Sequence, residues 1–452
     1  MENMSNKLIR FIHASDIHLG SVLHVNNEGT KEINNLFKEA VYNSFQQICE
    51  VALCYKVDFI ILSGDVYDKE LRTVKARSFF YNQCKRLEKE DIHIYVIRGN
   101  HDPLGNDKEL FYLPDNVFTL DSEKVQALEV VKKEKVVARI LGQSYRRKAE
   151  GRNITKDYEA IDNSVYNIGL LHTQLEPKNK NYVPCSVEDL KSKKNINYWA
   201  LGHIHKCEIV NHRNPVIVYS GNAQGRDIGE EGIRGCLLVE VDNDFFETIK
   251  FIPTASVVWK KINIDISQDK FNIRNLSDIE ELFIEKAEEF LEKNNLKSPD
   301  KLECLYPTSQ IVQGYTIQWN IEGKGEIDEI LREDEENVQE YLKEILNRRF
   351  LNEKPFLYTD YVYINTQKKI PNLDYLKENN EVFKEVDKIV QATLSDKEIR
   401  KKVVINFGSV FEKKWQQEEM NEEKIQLDEN MIEEIINSAK LLVIEKLLEK
   451  GE

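Results

Sequence analysis

Five short stretches of this chain carry residues able to bind metal and move protons: Asp16-Ile17-His18, Gly64-Asp65, Gly99-Asn100-His101-Asp102, His172 and Gly202-His203-Ile204-His205. Asp16, His18, Asp65, Asn100, His172, His203 and His205 supply carboxylate, amide and imidazole donors and no thiolate. That set suits Mn²⁺, Fe or Zn²⁺ better than Ca²⁺. Seven donors exceed the four of a structural zinc site and fit two ions that share a carboxylate. Two ions about 3.5–4 Å apart stabilise the attacking and leaving oxygens of an in-line phosphoryl displacement and lower the pKa of a bound water. The residue types therefore point to phosphoester hydrolysis by water, with no protein nucleophile. Within the stretch at 99–102, Asn100 can ligate, His101 can move a proton and Asp102 can orient that ring. Each stretch alone has a bland explanation. Asp-x-His after a strand is usually a turn with a helix cap, and Gly-Asp is ordinary turn chemistry. The five together, in order, carry the reading.

Something must bring them together, and the hydrophobic pattern says what. Apolar runs over 8–13, 57–62, 92–98, 167–171 and 198–201 read as buried strands, and each leads into one of the five stretches. Further strands are expected at 128–131, 136–141, 216–219, 236–241 and 245–252, with helices over 31–55 and 74–89. Strands apolar on both faces and separated by helices predict an α/β sheet covered on both sides. Sites in such folds assemble at the carboxyl ends of the strands.

Composition narrows the class. A chain of 452 residues holds more than one domain. No apolar run reaches the roughly 18–20 residues of a membrane span, and residues 1–6 lack the pattern of a secretory signal. Seven cysteines without a C-x-x-C predict reduced thiols and a cytoplasmic protein. Residues 1–260 carry 35 Lys and Arg against 36 Asp and Glu, whereas 261–452 carry 28 against 42. Polyanion contacts are therefore expected from the first part. Basic clusters fall at Lys132–Arg139, Arg146–Arg152 and Lys191–Lys194, although any one is most simply solvated surface. Arg226 and Arg234, in a Gly-rich segment after the His pair, are better candidates for phosphate contacts. No base-reading motif is visible, so any polyanion contact is expected to be sequence-independent and salt-sensitive.

The set Asp16-x-His18, Gly64-Asp65-x-x-Asp68, Gly99-Asn100-His101-Asp102, His172 and Gly202-His203-x-His205 resembles the calcineurin-like metallophosphoesterase superfamily. The framing segments 13–20, 219–226 and 235–240 resemble those of SbcD/YhaO-type DNA repair exonucleases, over roughly residues 8–260. The resemblance implies a two-sheet sandwich flanked by helices, then a small α+β capping domain and a helical C-terminal region. It divides the chain into a nuclease domain at 1–260, a capping domain shaping DNA access at 261–365 and a helical region at 366–452. It assigns one ion to Asp16, His18, Asp65 and His205, and a second to Asp65, Asn100, His172 and His203. His101 becomes the proton donor or transition-state stabiliser near the scissile phosphate, and Asp102 the holder of its ring and tautomer. The implied cofactors are two divalent ions, Mn²⁺ ahead of Fe or Zn²⁺. The implied activity is 3′-to-5′ exonuclease action on DNA ends in double-strand-break repair.

Beyond residue 260, strands are expected at 257–266 and 314–321, and helices at 279–291, 327–346, 372–390 and 431–448. The last has an apolar stripe from Ile432 to Leu447, either packed on its own domain or, as the resemblance implies, docking an SMC-like ATPase subunit of the SbcC/YhaN type. No Gly-x-x-x-x-Gly-Lys-Ser/Thr phosphate loop occurs, so ATP hydrolysis must come from such a partner. Homodimerisation is left open. Two rival functions stand beside the nuclease. One is a phosphoesterase acting on phosphoproteins or small phosphodiesters, and the other a repair scaffold with a dispensable site.

Overall fold

The computed structural model describes residues 7–26, 29–68, 73–105, 112–176, 181–267, 273–294, 312–368, 380–396 and 429–449. Two six-stranded sheets form the body of the first part. One runs in the order β12 (Glu247–Pro253), β11 (Gly235–Asp242), β1 (Lys7–Ala14), β2 (Phe59–Ser63), β3 (His93–Ile97), β4 (Val117–Thr119). The other runs β5 (Gln126–Lys132), β6 (Lys135–Gly142), β7 (Tyr166–His172), β8 (Tyr198–Gly202), β10 (Val216–Tyr219), β9 (Glu208–Asn211). Strands β1 to β4 pair in parallel, as do β6, β7, β8 and β10, and the antiparallel partners sit at the margins. Parallel pairing puts the carboxyl ends of successive strands on one edge, where the five stretches lie.

Strand periodicity explains why there are two sheets rather than one. Successive side chains point to opposite faces. Phe11, Phe59, Ile61, Tyr95 and Ile97 of the first sheet pack on Ala138, Ile140, Ile168, Leu170 and Ala200 of the second. The alternate residues Ile12, Ile60, Leu62, Ile94 and Val96 face α1 (Lys31–Tyr55) and α2 (Val74–Glu88). The far face of the second sheet is covered by Tyr145, Ile154, Tyr158 and Leu190, the last on α3 (Val187–Lys191). The architecture is the helix-flanked two-sheet sandwich. Both long helices start where the sequence supplies a cap. Thr30 and Thr73 accept from the main-chain N–H of Ile33 and Ala76. His13 ties the two sheets directly, its ring 3.0 Å from the Tyr198 hydroxyl and 3.2 Å from the Leu201 carbonyl.

A third sheet, β13 (Val257–Asp265), β14 (Gly314–Gly325) and β15 (Phe356–Lys368), carries α4 (Leu276–Asn294) and α6 (Glu335–Phe350). Val257, Trp259, Phe356 and Tyr358 pack on Ile33, Phe37 and Ala40 of α1. Buried Asp360 accepts from the main-chain and side-chain nitrogens of Asn26, both at 2.7 Å. The helix expected over 327–346 is broken. It ends as α5 (Asp328–Glu333) and restarts at α6 after Asp334. The chain gathers into two compact units, one of residues 1–264, 277–321 and 334–364, the other of 265–276, 322–333 and 365–452. In the second, α7 (Glu381–Ser395) and α8 (Glu429–Glu449) are joined by the Lys440–Asp387 ion pair. Of the C-terminal stripe, Ile436 is buried while Leu442 and Val443 are exposed. The part of the expected helix at 372–379 lies outside the described residues. No helix among the described residues is long and apolar enough to cross a membrane.

Candidate metal centre

Three of the five stretches leave their strands through a tight, left-handed backbone. Asp16, His18 and Asp65 have φ of 51°, 51° and 52°, and His203 has 96°. Such conformations cost about 1–3 kcal/mol each for residues with a Cβ. Bonds between the loops hold them. The N–H groups of Asp16, His18 and Leu19 donate to the carbonyls of Gly64, Asp65 and Val66 at 3.1, 3.0 and 2.8 Å. The loops after β1 and β2 thus lock each other. Two glycines are required for the approach of β7 and β8. A Cβ on Gly64 (φ +98°) would lie 2.3 Å from His172 Nδ1, and one on Gly202 would lie 2.0 Å from the Ser63 carbonyl.

The locked loops bring all seven expected donors to one place, in two groups. In the first, His18 Nε2 lies 3.4 Å from His205 Nε2, and His205 Nε2 lies 3.8 Å from Asp16 Oδ1. In the second, Asn100 Oδ1 is 2.9 Å from His172 Nε2 and 3.1 Å from His203 Nδ1. Asp65 Oδ2 stands between them, 3.4 Å from His172 Nε2 and 3.9 Å from His18 Nε2. Donors about 2.1 Å from a shared ion sit roughly 3–3.5 Å apart, so the spacing suits ion binding. The chemistry agrees. The Nε2 atoms of His18 and His205 face each other at a spacing that a shared ion accommodates, and His18 Nδ1 is buried without a hydrogen-bond partner. The residues present fit two divalent ions.

His101 sits at the rim with its side chain 36% exposed, its ring edge-on to His18 at 4.9 Å. Its main-chain N–H donates to Asp65 Oδ1 at 2.8 Å. The expected Asp102 contact with this ring is not made. Asp102 is buried and turned inward, accepting from the N–H groups of Gly99, Val66 and Tyr67 at 2.9, 3.0 and 3.3 Å and from Arg98 at 3.1 Å. Two residues beyond Gly99 the chain is still in its turn, so adjacent side chains diverge. The carboxylate beside His101 is Asp68, with Oδ1 3.8 Å from Nδ1. Asp102 instead clamps the loop after β3 to the loop after β2.

The two arginines also part ways. Arg226 lies 3.9 Å from Asp68 Oδ2 and 3.6 Å from Glu230 Oε1, at the centre. Arg234 is engaged with the main chain: its guanidinium donates to the carbonyls of His205, Glu230 and Glu231. Sequence reasoning missed Asp68 as a partner of His101, although its spacing from Asp65 was visible, and missed Glu230 altogether. Glu230 accepts from His205 Nδ1. Burial pushes its carboxyl up, but His205 and Arg226 overcome that and hold it at about 2.

Protonation follows from burial and neighbours. Burial lowers His18 well below its ordinary value, with Arg226 adding to the effect, and lowers His203 to about 3, with His172 adding. Both rings are neutral donors at pH 7. His172 differs: burial opposes its charge, yet Asp65, Asp16 and the Ser63 carbonyl raise it to about 9. An ion bound at His172 must displace that proton. Metal affinity is therefore expected to rise by roughly tenfold per pH unit as pH approaches about 9, with about one proton released per chain. Calorimetry at pH 7 in buffers of different protonation enthalpy measures that proton directly. In the metal-free chain the sign is opposite. The raised His172 pKa contributes stability that is fully present below about 6.5 and lost as pH rises through about 9.

A sandwich presenting such a centre at the carboxyl ends of its strands defines a metal-dependent phosphoesterase. Residues 9–207 match the calcineurin-like phosphoesterase family model. The chain is 31% identical over 335 residues to the uncharacterized metallophosphoesterase YhaO of Bacillus subtilis, spanning 74% of this chain and 78% of that protein. It belongs to the calcineurin-like metallophosphoesterase family. It is also 28% identical over 225 residues to the DNA double-strand break repair protein Mre11 of Methanocaldococcus jannaschii, covering 47% of this chain and 56% of that one. To the Mre11 protein of Methanococcus maripaludis it is 26% identical over 371 residues, covering 74% and 91%. Members of the family use a dinuclear metal site, and the donors described above are this chain's candidates for it.

Proposed function

We propose that this chain is a two-ion DNA exonuclease acting 3′ to 5′ on DNA ends in double-strand-break repair, with Mn²⁺ as the working metal. The observation that carries the proposal is Asp65 Oδ2 standing between two donor groups, with His101 at the open rim beside it. Asp16, His18, Asp65 and His205 hold one ion, and Asp65, Asn100, His172 and His203 the other. The ions supply a water of lowered pKa and charge stabilisation for the phosphoryl oxygens. His101 hands a proton to the leaving oxygen, and Asp68 holds the ring for that transfer. Arg226 contacts a non-bridging phosphate oxygen. Relatives named for DNA double-strand break repair favour DNA over a phosphoprotein as substrate.

Residues 261–365 shape access to the centre as a capping domain, and the helical region 366–452 docks an SMC-like ATPase. Exposed Val382 and Ile389 on α7, with Leu442 and Val443 on α8, support that docking.

The two arginines give a direct comparison. Arg226→Ala weakens DNA binding and flattens its salt dependence, since a phosphate contact is lost. Arg234→Ala leaves that salt slope alone and destabilises the fold by on the order of 2 kcal/mol, because three carbonyls lose a charged donor. Salt titrations of binding and denaturant unfolding check the pair. The activity itself is tested with Mn²⁺ and linear duplex DNA labelled separately at each end. Stepwise loss from the 3′ label is expected. Robust turnover of a small phosphodiester without DNA cleavage, persisting after the ATPase partner is added, would overturn the DNA assignment.

A further inference from the structure

Glu230 closes a short 3-10 turn, Ile228–Glu230, between β10 and β11. Its side chain is 12% exposed and reaches several groups at once. Oε1 accepts from His205 Nδ1. Oε2 accepts from the Asn222 amide at 2.8 Å and from the Arg226 main-chain N–H at 2.6 Å. The Arg226 guanidinium lies 3.6 Å from Oε1. One carboxylate thus touches both a donor of the first group and the arginine at the rim.

We infer that Glu230 is the positioning residue that fixes the His205 tautomer for the first ion and seats Arg226 beside it. The inference rests on the two-ion reading above. With the Nδ1 proton committed to Glu230, the lone pair of His205 falls on Nε2, the atom facing His18 and Asp16. A ring held in that way is already oriented when an ion arrives. The second group is built differently. His172 is oriented by the Ser63 carbonyl at 2.9 Å, and His203 Nδ1 faces Asn100. Loss of Glu230 therefore acts on one ion and spares the other. Arg234 supports the arrangement from behind, donating to the carbonyls of both Glu230 and His205.

Mn²⁺ titration calorimetry on the full chain tests this, with thermal unfolding run alongside to confirm that each variant is folded. In Glu230→Gln one binding step is expected to weaken by about 10–100-fold while the other stays within about twofold. In a His205→Ala background the same substitution is expected to add nothing further at that step, because its route through the ring is gone. Both steps unchanged, both weakened alike, or a full additional loss in the double variant would each overturn the inference. An unmodified chain that binds fewer than two ions would overturn the two-ion reading, and this inference with it.

Discussion

His101→Ala leaves both ions bound and lowers phosphodiester hydrolysis by about 10²–10⁴-fold, the usual contribution of a positioned general acid. The geometry separates the two effects. The loop is held by the His101 main-chain N–H on Asp65, which alanine retains, while the ring projects to the rim and belongs to neither donor group. Asp68 raises the His101 pKa, burial opposes it and Asp65 adds to the rise. A proton donor works below its pKa, so activity is lost as pH rises past a value above 6.5. Asp68→Asn removes the main cause of that rise and moves the alkaline limb of the kcat/KM profile to lower pH. Profiles on a small phosphodiester, with metal content measured in parallel, check both variants. A His101→Ala variant as fast as the parent would remove the ring from proton transfer.

Asp65→Asn acts on the metals themselves. Asp65 is buried, its Oδ2 lies between the two groups, and it carries the negative charge on which both depend. Asparagine keeps the shape, removes the charge and can turn an N–H₂ group toward the imidazoles. Metal content is expected to fall from about two ions per chain to below one. Losing several kcal/mol of charge stabilisation corresponds to a drop in turnover of about 10³-fold or more. The His172 ring also loses the main influence holding its proton, so its pKa falls. Metal analysis of the folded variant, beside its rate, reads all of this. Two ions retained with full activity would mean that Asp65 is not shared.

Much of the centre could be read from the chain because its parts are local. Apolar strands ending in Asp-x-His, Gly-Asp, Gly-Asn-His-Asp and Gly-His-x-His place their donors close to a strand end, and parallel pairing collects strand ends at one edge. The helix over 31–55 was equally readable, since its stripe from Ile33 to Ala52 holds one period throughout. What resisted reading depends on distant partners. Glu230 reaches His205 across 25 residues of sequence, and no spacing rule links them. Arg234 looked like a phosphate contact from composition, but three carbonyls supplied by the fold claim its guanidinium. Asp102 was misjudged because adjacency in sequence does not bring side chains together in a turn. The break at Asp334 lies in a run of helix-forming residues, where the pattern contains no stop signal. Strand β15 was missed although it alternates over 360–366; its first residues, Phe356 and Tyr358, are buried against α1, far away in sequence.

The two-ion claim is tested most directly by soaking crystals of the chain in Mn²⁺ and recording anomalous scattering at the manganese edge. Two peaks about 3.5–4 Å apart are expected, one on each side of the Asp65 carboxylate. One should be bounded by Asp16, His18 and His205, and the other by Asn100, His172 and His203. A single peak, or a pair away from Asp65, would contradict two-ion hydrolysis at this centre.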